Sequence, residues 1–304
     1  MKPVAILAAV TVAGLLGAPT DAQVFRARAE LVHLPVVVTD SDDQVVTGLT
    51  ADDFEVVDGG QVRPITAFIE GAPPATLGVP LYVGAMFDRS ASMEQDSQAA
   101  AEALIDLIEA MPEAADVTLV EFDAAIRVSR FSPDAYPRLF ARVRSPEPPG
   151  RETALFDAVA RYVSVTAERD GLHLLVVFTD GGDSGRGIQV DDLMYLLEGS
   201  NVLLHAVVYL EHEPLADLRG RQRYVMTRLA ERTGGEAFFP SSRREIGEIY
   251  DRIRHLIESR YTIGYALPAE ARPGQFREVI VRLVDPARRG LQVRTRAGYA
   301  VPEP

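Results

Sequence analysis

The run HLLVVFTDGGD (173–183) constrains the fold of this chain more than any other. Leu174, Leu175, Val176 and Val177 follow one another without alternation. A strand that is apolar on both sides needs a packed layer on each face, which is the setting of a parallel sheet between helices. Similar runs occur at 79–87, 116–122 and 201–209. Between them lie segments with a helical period: 97–111, 152–169, 190–199, 217–233 and 243–259. In the first, Ala101, Leu104, Ile105 and Ile108 share one face. Strands alternating with helices predict an α/β unit over 77–260 with a mainly parallel central sheet.

The regions on either side read differently. In LVHLPVVVTD, Val32, Leu34, Val36 and Val38 alternate with other residues, the pattern of a half-buried strand. Thr50 with Asp53 three positions on predicts a short capped turn, and Asp58-Gly59 predicts a hairpin. GAPPATLGVP (71–80) reads as a linker. After 260, YTIGYAL, FREVIVRLV and LQVRTRAGY are again strand-like. Neither flank, 23–76 or 261–304, is large enough for a good core alone. The expectation is that the two pair into one small β-sandwich, with the α/β unit inserted between them.

The first 22 residues have the layout of a secretory signal peptide. Lys2 precedes an apolar stretch from Val4 to Leu16, and Thr20 and Ala22 occupy the −3 and −1 positions of a cleavage site. That stretch is short for a membrane span, and no second long apolar run follows. The expected location is secreted or periplasmic, with no membrane span in the mature chain. There is no cysteine, which excludes disulfides, a lipoprotein anchor, a thiol nucleophile and a cysteine zinc site. The formal net charge of −13 repels phosphate backbones and argues against nucleic acid as a partner.

Ligands of open α/β sheets bind outside the carboxyl ends of the strands. Two of the buried runs end there in carboxylates. AMFDRSASM (85–93) delivers Asp88, then Ser90 and Ser92; FTDGGD delivers Asp180. Between them in sequence, Thr153 follows Gly150 at a loop-to-helix junction, within reach of the same edge. Asp88 or Ser90 could equally cap the next helix. As a set, Asp88, Ser90, Ser92, Thr153 and Asp180 offer only oxygen donors, and hard oxygens select a hard cation, Mg²⁺ first, with Mn²⁺ or Ca²⁺ as alternatives.

D-x-S-x-S at 88–92, the threonine of GRETALFDA at 153, and TDGGD at 179–183 together resemble the von Willebrand factor A domain. The resemblance covers about 79–260 and implies a Rossmann-like domain whose metal-ion-dependent adhesion site would use Asp88, Ser90, Ser92, Thr153 and Asp180. It implies a magnesium-completed site that takes a carboxylate from a protein partner, and a last helix, 243–259, of the kind that ligand engagement can shift. The flanks, VVVTD…VVTGLTADDFEVVDGG and YTIGYALP…GQFREVIVRL…VRTRAGY, resemble the VWFA-related proteins abundant in acidobacteria.

The expected function is therefore that of a secreted binding or adhesion protein, not an enzyme. A metal-dependent hydrolase is the alternative, with Asp183 as its only candidate general base, and a structural module of an envelope assembly is a third. GDSG at 182–185 resembles a trypsin-type nucleophile segment, but it follows a buried strand in an α/β block, so Ser184 is rejected in that role. Asp183 reads as a solvated loop residue, and Asp157, Asp191 and Asp192 as helix-surface or N-terminal charges. His173 and His205 read as structural, EHE (211–213) as a charged loop, and the arginines near 288–296 as surface sheet residues.

Overall fold

The computed structural model describes residues 31–71, 79–145, 148–167, 169, 171–211, 213–288 and 290–301. The expected signal peptide and most of the expected linker lie outside them.

The α/β unit is built on six strands: β5 (Leu81–Asp88), β6 (Ala114–Phe122), β7 (Ile126–Phe131), β8 (Leu172–Thr179), β9 (Val202–Val208) and β10 (Ala237–Phe238). Their order is β10-β9-β8-β5-β6-β7, parallel except for β7, which runs antiparallel to β6 at the edge. Helices α1 (Ser97–Glu109), α2 (Tyr136–Arg144) and α6 (Arg243–Glu258) cover one face. Helices α3 (Leu155–Thr166), α4 (Val190–Glu198) and α5 (Ala216–Arg232) cover the other. Successive side chains of a strand point to opposite faces. Val83, Ala85 and Phe87 accordingly join the α1/α6 core, while Met86 joins the α3 core. Gly84 faces α3 as well, and the Tyr162 ring lies where a β-carbon there would be, 2.4 Å away. β7 and α2 were not anticipated. β7 is a half-exposed edge strand, and α2 is a short helix that opens with Pro137 and buries only Leu139 and Val143 amid arginines.

The flanks form two four-stranded sheets, ordered β13-β1-β11-β4 and β14-β12-β2-β3. Here β1 is Leu31–Thr39, β2 Phe54–Asp58, β3 Gln61–Arg63, β4 Ala67–Glu70, β11 Tyr261–Ala266, β12 Phe276–Leu283, β13 Gln292–Arg294 and β14 Gly298–Ala300. Each sheet mixes strands from both ends of the chain. β1 pairs antiparallel with β11, Leu34 opposite Ile263, and β2 with β12, Val56 opposite Val281. Their inner faces, Val32, Leu34, Val36 and Val38 with Phe54, Val56, Tyr261, Ile263, Tyr265 and Val279, make one core. The α/β unit is thus inserted in a sandwich that neither flank forms by itself.

The predicted hairpin forms, with Gly59-Gly60, both at positive φ, as its turn; Asp58 is not in that turn but ends β2. Asp58 is fully buried and accepts hydrogen bonds from Arg277 Nε (2.6 Å), Tyr265 (2.9 Å) and Tyr299 (2.8 Å). Nor are Arg294 and Arg296 mere surface residues. Arg294 pairs with Glu236 of the α/β unit, and Arg296 bonds Asn201 and, at 3.0 Å, the His33 carbonyl. They join the sandwich to the lower edge of the large sheet. Gly234 lets the two approach closely: a β-carbon there would lie 2.6 Å from the Thr295 carbonyl carbon.

Candidate functional site

Asp88 ends the central strand β5, at the carboxyl edge. Its side chain is buried. One carboxylate oxygen accepts the Ser90 N–H at 2.9 Å and the other the Thr179 hydroxyl at 2.7 Å. Burial is the main force raising its pKa to about 6; the Asp180 charge adds to the rise, and the bonds from Ser90 and Thr179 oppose it. An anion held at that cost in desolvation, with lone pairs left over, is a group that a cation would relieve.

The chain then turns outward. Ser90 forms a parallel bridge with Gly150, through Ala91 N–H to the Gly150 carbonyl (2.9 Å) and Gly150 N–H to the Arg89 carbonyl (3.0 Å). That bridge fixes the first loop against the loop that carries Thr153. It depends on glycine, because a β-carbon at Gly150 would lie 2.4 Å from the Asp123 β-carbon. Ser92 sits in a one-turn 3-10 segment (91–93), with its hydroxyl 3.1 Å from that of Ser90. Behind the loop, the buried Arg89 guanidinium bonds Glu121 at 2.8 and 3.1 Å, and Arg142 bonds the other Glu121 oxygen at 2.7 Å. The residue between Asp88 and Ser90 therefore anchors the loop from below.

Asp180 follows β8 directly, and its carboxylate accepts the Gly182 N–H at 2.8 Å. Gly181 takes φ +79°, which turns the chain at once. Thr153 lies across from this loop. Its N–H donates to the Ser184 hydroxyl (2.7 Å), and its carbonyl accepts the Ser184 N–H (2.8 Å). Ser184 is thus a clamp between two loops, in keeping with its rejection as a nucleophile.

Two acidic residues have roles that the sequence did not reveal. Asp183 is half-buried and accepts the Phe156 N–H at the start of α3 (3.1 Å); burial raises its pKa first, and the Asp157 charge adds to the effect. Asp157 turns inward and accepts the Ile188 N–H at 2.9 Å, holding the 185–188 loop. Thr179, Ser184 and Asp183 organise the site, yet each is a polar residue whose partner is distant in sequence. Only the adjacency of Thr179 and Asp183 to Asp180 offered a signal. Among the described residues there is no group of three or more His, Asp or Glu side chains placed to hold a metal. Any ion at this edge would rest on two carboxylates and neutral hydroxyls.

The structure places all five predicted residues on three loops of one sheet edge, cross-linked by the Ser90–Gly150 bridge, the Thr179–Asp88 bond and the Thr153–Ser184 pair. The sequence profile of the von Willebrand factor type A domain matches residues 83–252. The chain belongs to that family. No curated protein matches it in sequence. Among solved structures, it is similar to von Willebrand factor type A from Catenulispora acidiphila, at 14% identity, covering 91% of this chain and 76% of that one, TM-score 0.49. The pilus adhesin SpaC from Lactobacillus rhamnosus GG, in its open conformation, is 9% identical, covering 88% of this chain and 48% of that one, TM-score 0.50. Proximal thread matrix protein 1 from the mussel byssus is 14% identical, covering 66% and 49%, TM-score 0.47. The chain spans about half the length of the adhesin and of the thread matrix protein. As a von Willebrand A domain protein it carries a protein-binding module of the adhesion type.

Proposed function

We propose that this is a secreted or periplasmic binding protein whose A domain engages an acidic side chain of a protein partner through a divalent cation, Mg²⁺ first, with Mn²⁺ or Ca²⁺ as alternatives. The observation that carries the reading is the buried carboxylate of Asp88, its pKa raised to about 6, at a strand end shared with the paired hydroxyls of Ser90 and Ser92 and a second carboxylate. Asp88 and Asp180 would supply charge, directly or through water. Ser90, Ser92 and Thr153 would supply neutral oxygens, so the ion would stay electrophilic toward a partner carboxylate. In the hydrolase alternative, the candidate base Asp183 has one carboxylate oxygen engaged by the Phe156 N–H at the α3 N-terminus. Export is supported by the N-terminal pattern of Lys2 and the apolar 4–16 stretch. Among the described residues no helix is long and apolar enough to cross a membrane.

The test is calorimetric titration of Mg²⁺ and Mn²⁺ into EDTA-treated protein, beside Asp88→Ala. Saturable binding that the variant loses is the expected result. Equal heats in both proteins would remove Asp88 from any metal site.

A further inference from the structure

The two sides of this sheet edge differ in sign. On the α1/α2 side a cleft of about 470 Å³ opens beside Asp88 and Ser90. Its wall carries Glu94, Gln95 and Gln98, and its one basic head group outside the loop, Arg144, is committed to Glu102 at 2.8 and 3.0 Å. The opposite side is formed by the first half of α5. There Arg219, Arg221 and Arg223 stand against one carboxylate, Asp217, in a chain of net charge −13.

Three contacts tie this basic stretch to the site. Gln222 packs against the Asp180 loop, its Cβ 3.3 Å and its Nε2 3.5 Å from where β-carbons at Gly181 and Gly182 would stand. Arg219, three residues before Gln222 on the same helical face, lies one turn nearer the N-terminus of α5. Its guanidinium donates to the Glu213 carbonyl at 2.9 Å, which orders it without neutralising it. Arg223 stacks over Phe239, 3.9 Å from the ring centroid, and Phe239 follows β10 at the same carboxyl edge. Arg221 is exposed. Large apolar groups accompany the charges: Leu215 is 58% exposed and Tyr224 65%. Gly220, between two of the arginines, has nothing within 4 Å of its would-be β-carbon. Packing gives no reason for a glycine in this helix, where it costs about 1 kcal/mol against alanine.

We infer that α5 is a second contact surface for an acidic protein segment, which runs from the Asp88–Asp180 edge across Gly181–Gly182 and sets further carboxylates on Arg219 and Arg223, one turn apart on α5, with Arg221 adding to the positive field. This rests on the reading of that edge as a carboxylate-binding site, and it adds the direction and composition of the partner. Paired guanidinium and carboxylate groups give geometric specificity and raise the association rate. The neighbouring Leu215 and Tyr224 fit apolar residues interspersed among the acids.

The probe is a fluorescein-labelled peptide rich in Glu, Asp and Leu, followed by anisotropy with Mg²⁺ present. Its counterpart has Gln and Asn in place of the acids. The triple variant Arg219→Gln/Arg221→Gln/Arg223→Gln removes the three charges, together with the Arg219–Glu213 bond and the Arg223–Phe239 stacking, and circular dichroism checks that it folds. The expected result is binding of the acidic peptide alone, weakened about tenfold or more in the triple variant and with a flatter salt dependence. Mg²⁺ titration of that variant stays as in the parent. Equal binding by the triple variant, or by the uncharged peptide, overturns the inference. So does failure of the acidic peptide to bind, including the case where vesicles of phosphatidylcholine with 30% phosphatidylserine bind instead. If Mg²⁺ heats are absent but the peptide still needs the arginines, the metal reading fails and the α5 surface stands.

Discussion

Asp88 and Asp58 are both buried carboxylates, and the difference between them decides what each can do. Asp58 has an arginine and two tyrosine hydroxyls as partners, all inside the sandwich. Removing it leaves the buried Arg277 with only the longer contact to Glu270 (3.7 Å) and takes the acceptor from two tyrosine hydroxyls, so Asp58→Ala is expected to cost about 3–5 kcal/mol in urea unfolding. Asp88 has only neutral donors, and its pKa stands at about 6. Its folded-state pKa lies above the unfolded value, so the metal-free protein gains stability from this group as pH falls through 6 and loses it as pH rises. A cation reverses that preference by competing with the proton. Mg²⁺ affinity is accordingly expected to decline by up to tenfold per pH unit below about 6, measured by titration at pH 5.0, 5.5 and 7.5. Unchanged affinity across that range would mean that Asp88 does not hold the ion. The strand-end positions of Asp88 and Asp180 were legible because each is a polar break after an apolar run. The inward turn of Asp58 was not, because a DG pair carries the same letters whether its aspartate faces solvent or core.

Among the secondary elements, the central strands were readable because they are apolar on both faces, and their bounds shift by only a few residues. β7 and α2 were not, since an edge strand and a helix lying on a sheet margin need only part of a face buried. The central strands also carry the tightest helix contacts. Gly84 leaves room for Tyr162, whose hydroxyl is buried without a partner. Tyr162→Phe is expected to leave stability unchanged or raise it by about 1 kcal/mol, whereas Gly84→Ala forces the ring out and costs about 2 kcal/mol or more; thermal melting separates the two. In β9, burial first and the Arg294 charge second push His205 down to about 3, and its Nδ1 accepts the Glu236 N–H at 3.2 Å. The folded state resists protonation that the unfolded chain accepts near 6.5. The stability held by neutral His205 is therefore present above that pH and is lost as pH falls toward 3. His205→Gln is expected to show a shallower loss of urea midpoint between pH 7 and 4.5 than the parent chain.

At the level of the whole molecule, the insertion makes both flanks necessary to one core. Removing 261–304 would uncover Leu34, Val36 and Val56, so that truncation is expected to lose the sandwich altogether and to raise dye binding to exposed apolar surface. Survival of a cooperative sandwich transition in the truncated protein would contradict the shared core. That the flanks pair was legible from their size and alternation; how they are joined to the A domain was not. Arg294 and Arg296 read as a basic strip, and only the fold supplies Glu236 and Asn201 opposite them. The same arrangement sets a timetable for the newborn chain. Val36 has no strand partner until Tyr261 has been made, and Val56, which pairs with Arg63 in the β2–β3 hairpin, lacks its second neighbour until Val281. At ribosomal speeds that interval is on the order of tens of seconds. Through it, β1 waits without its partner strand and β2 with only β3 beside it, and the A domain, complete by residue 258, has to close first and bring the two ends of the sandwich together. The A domain thus serves its own neighbour as a folding template before it meets any partner.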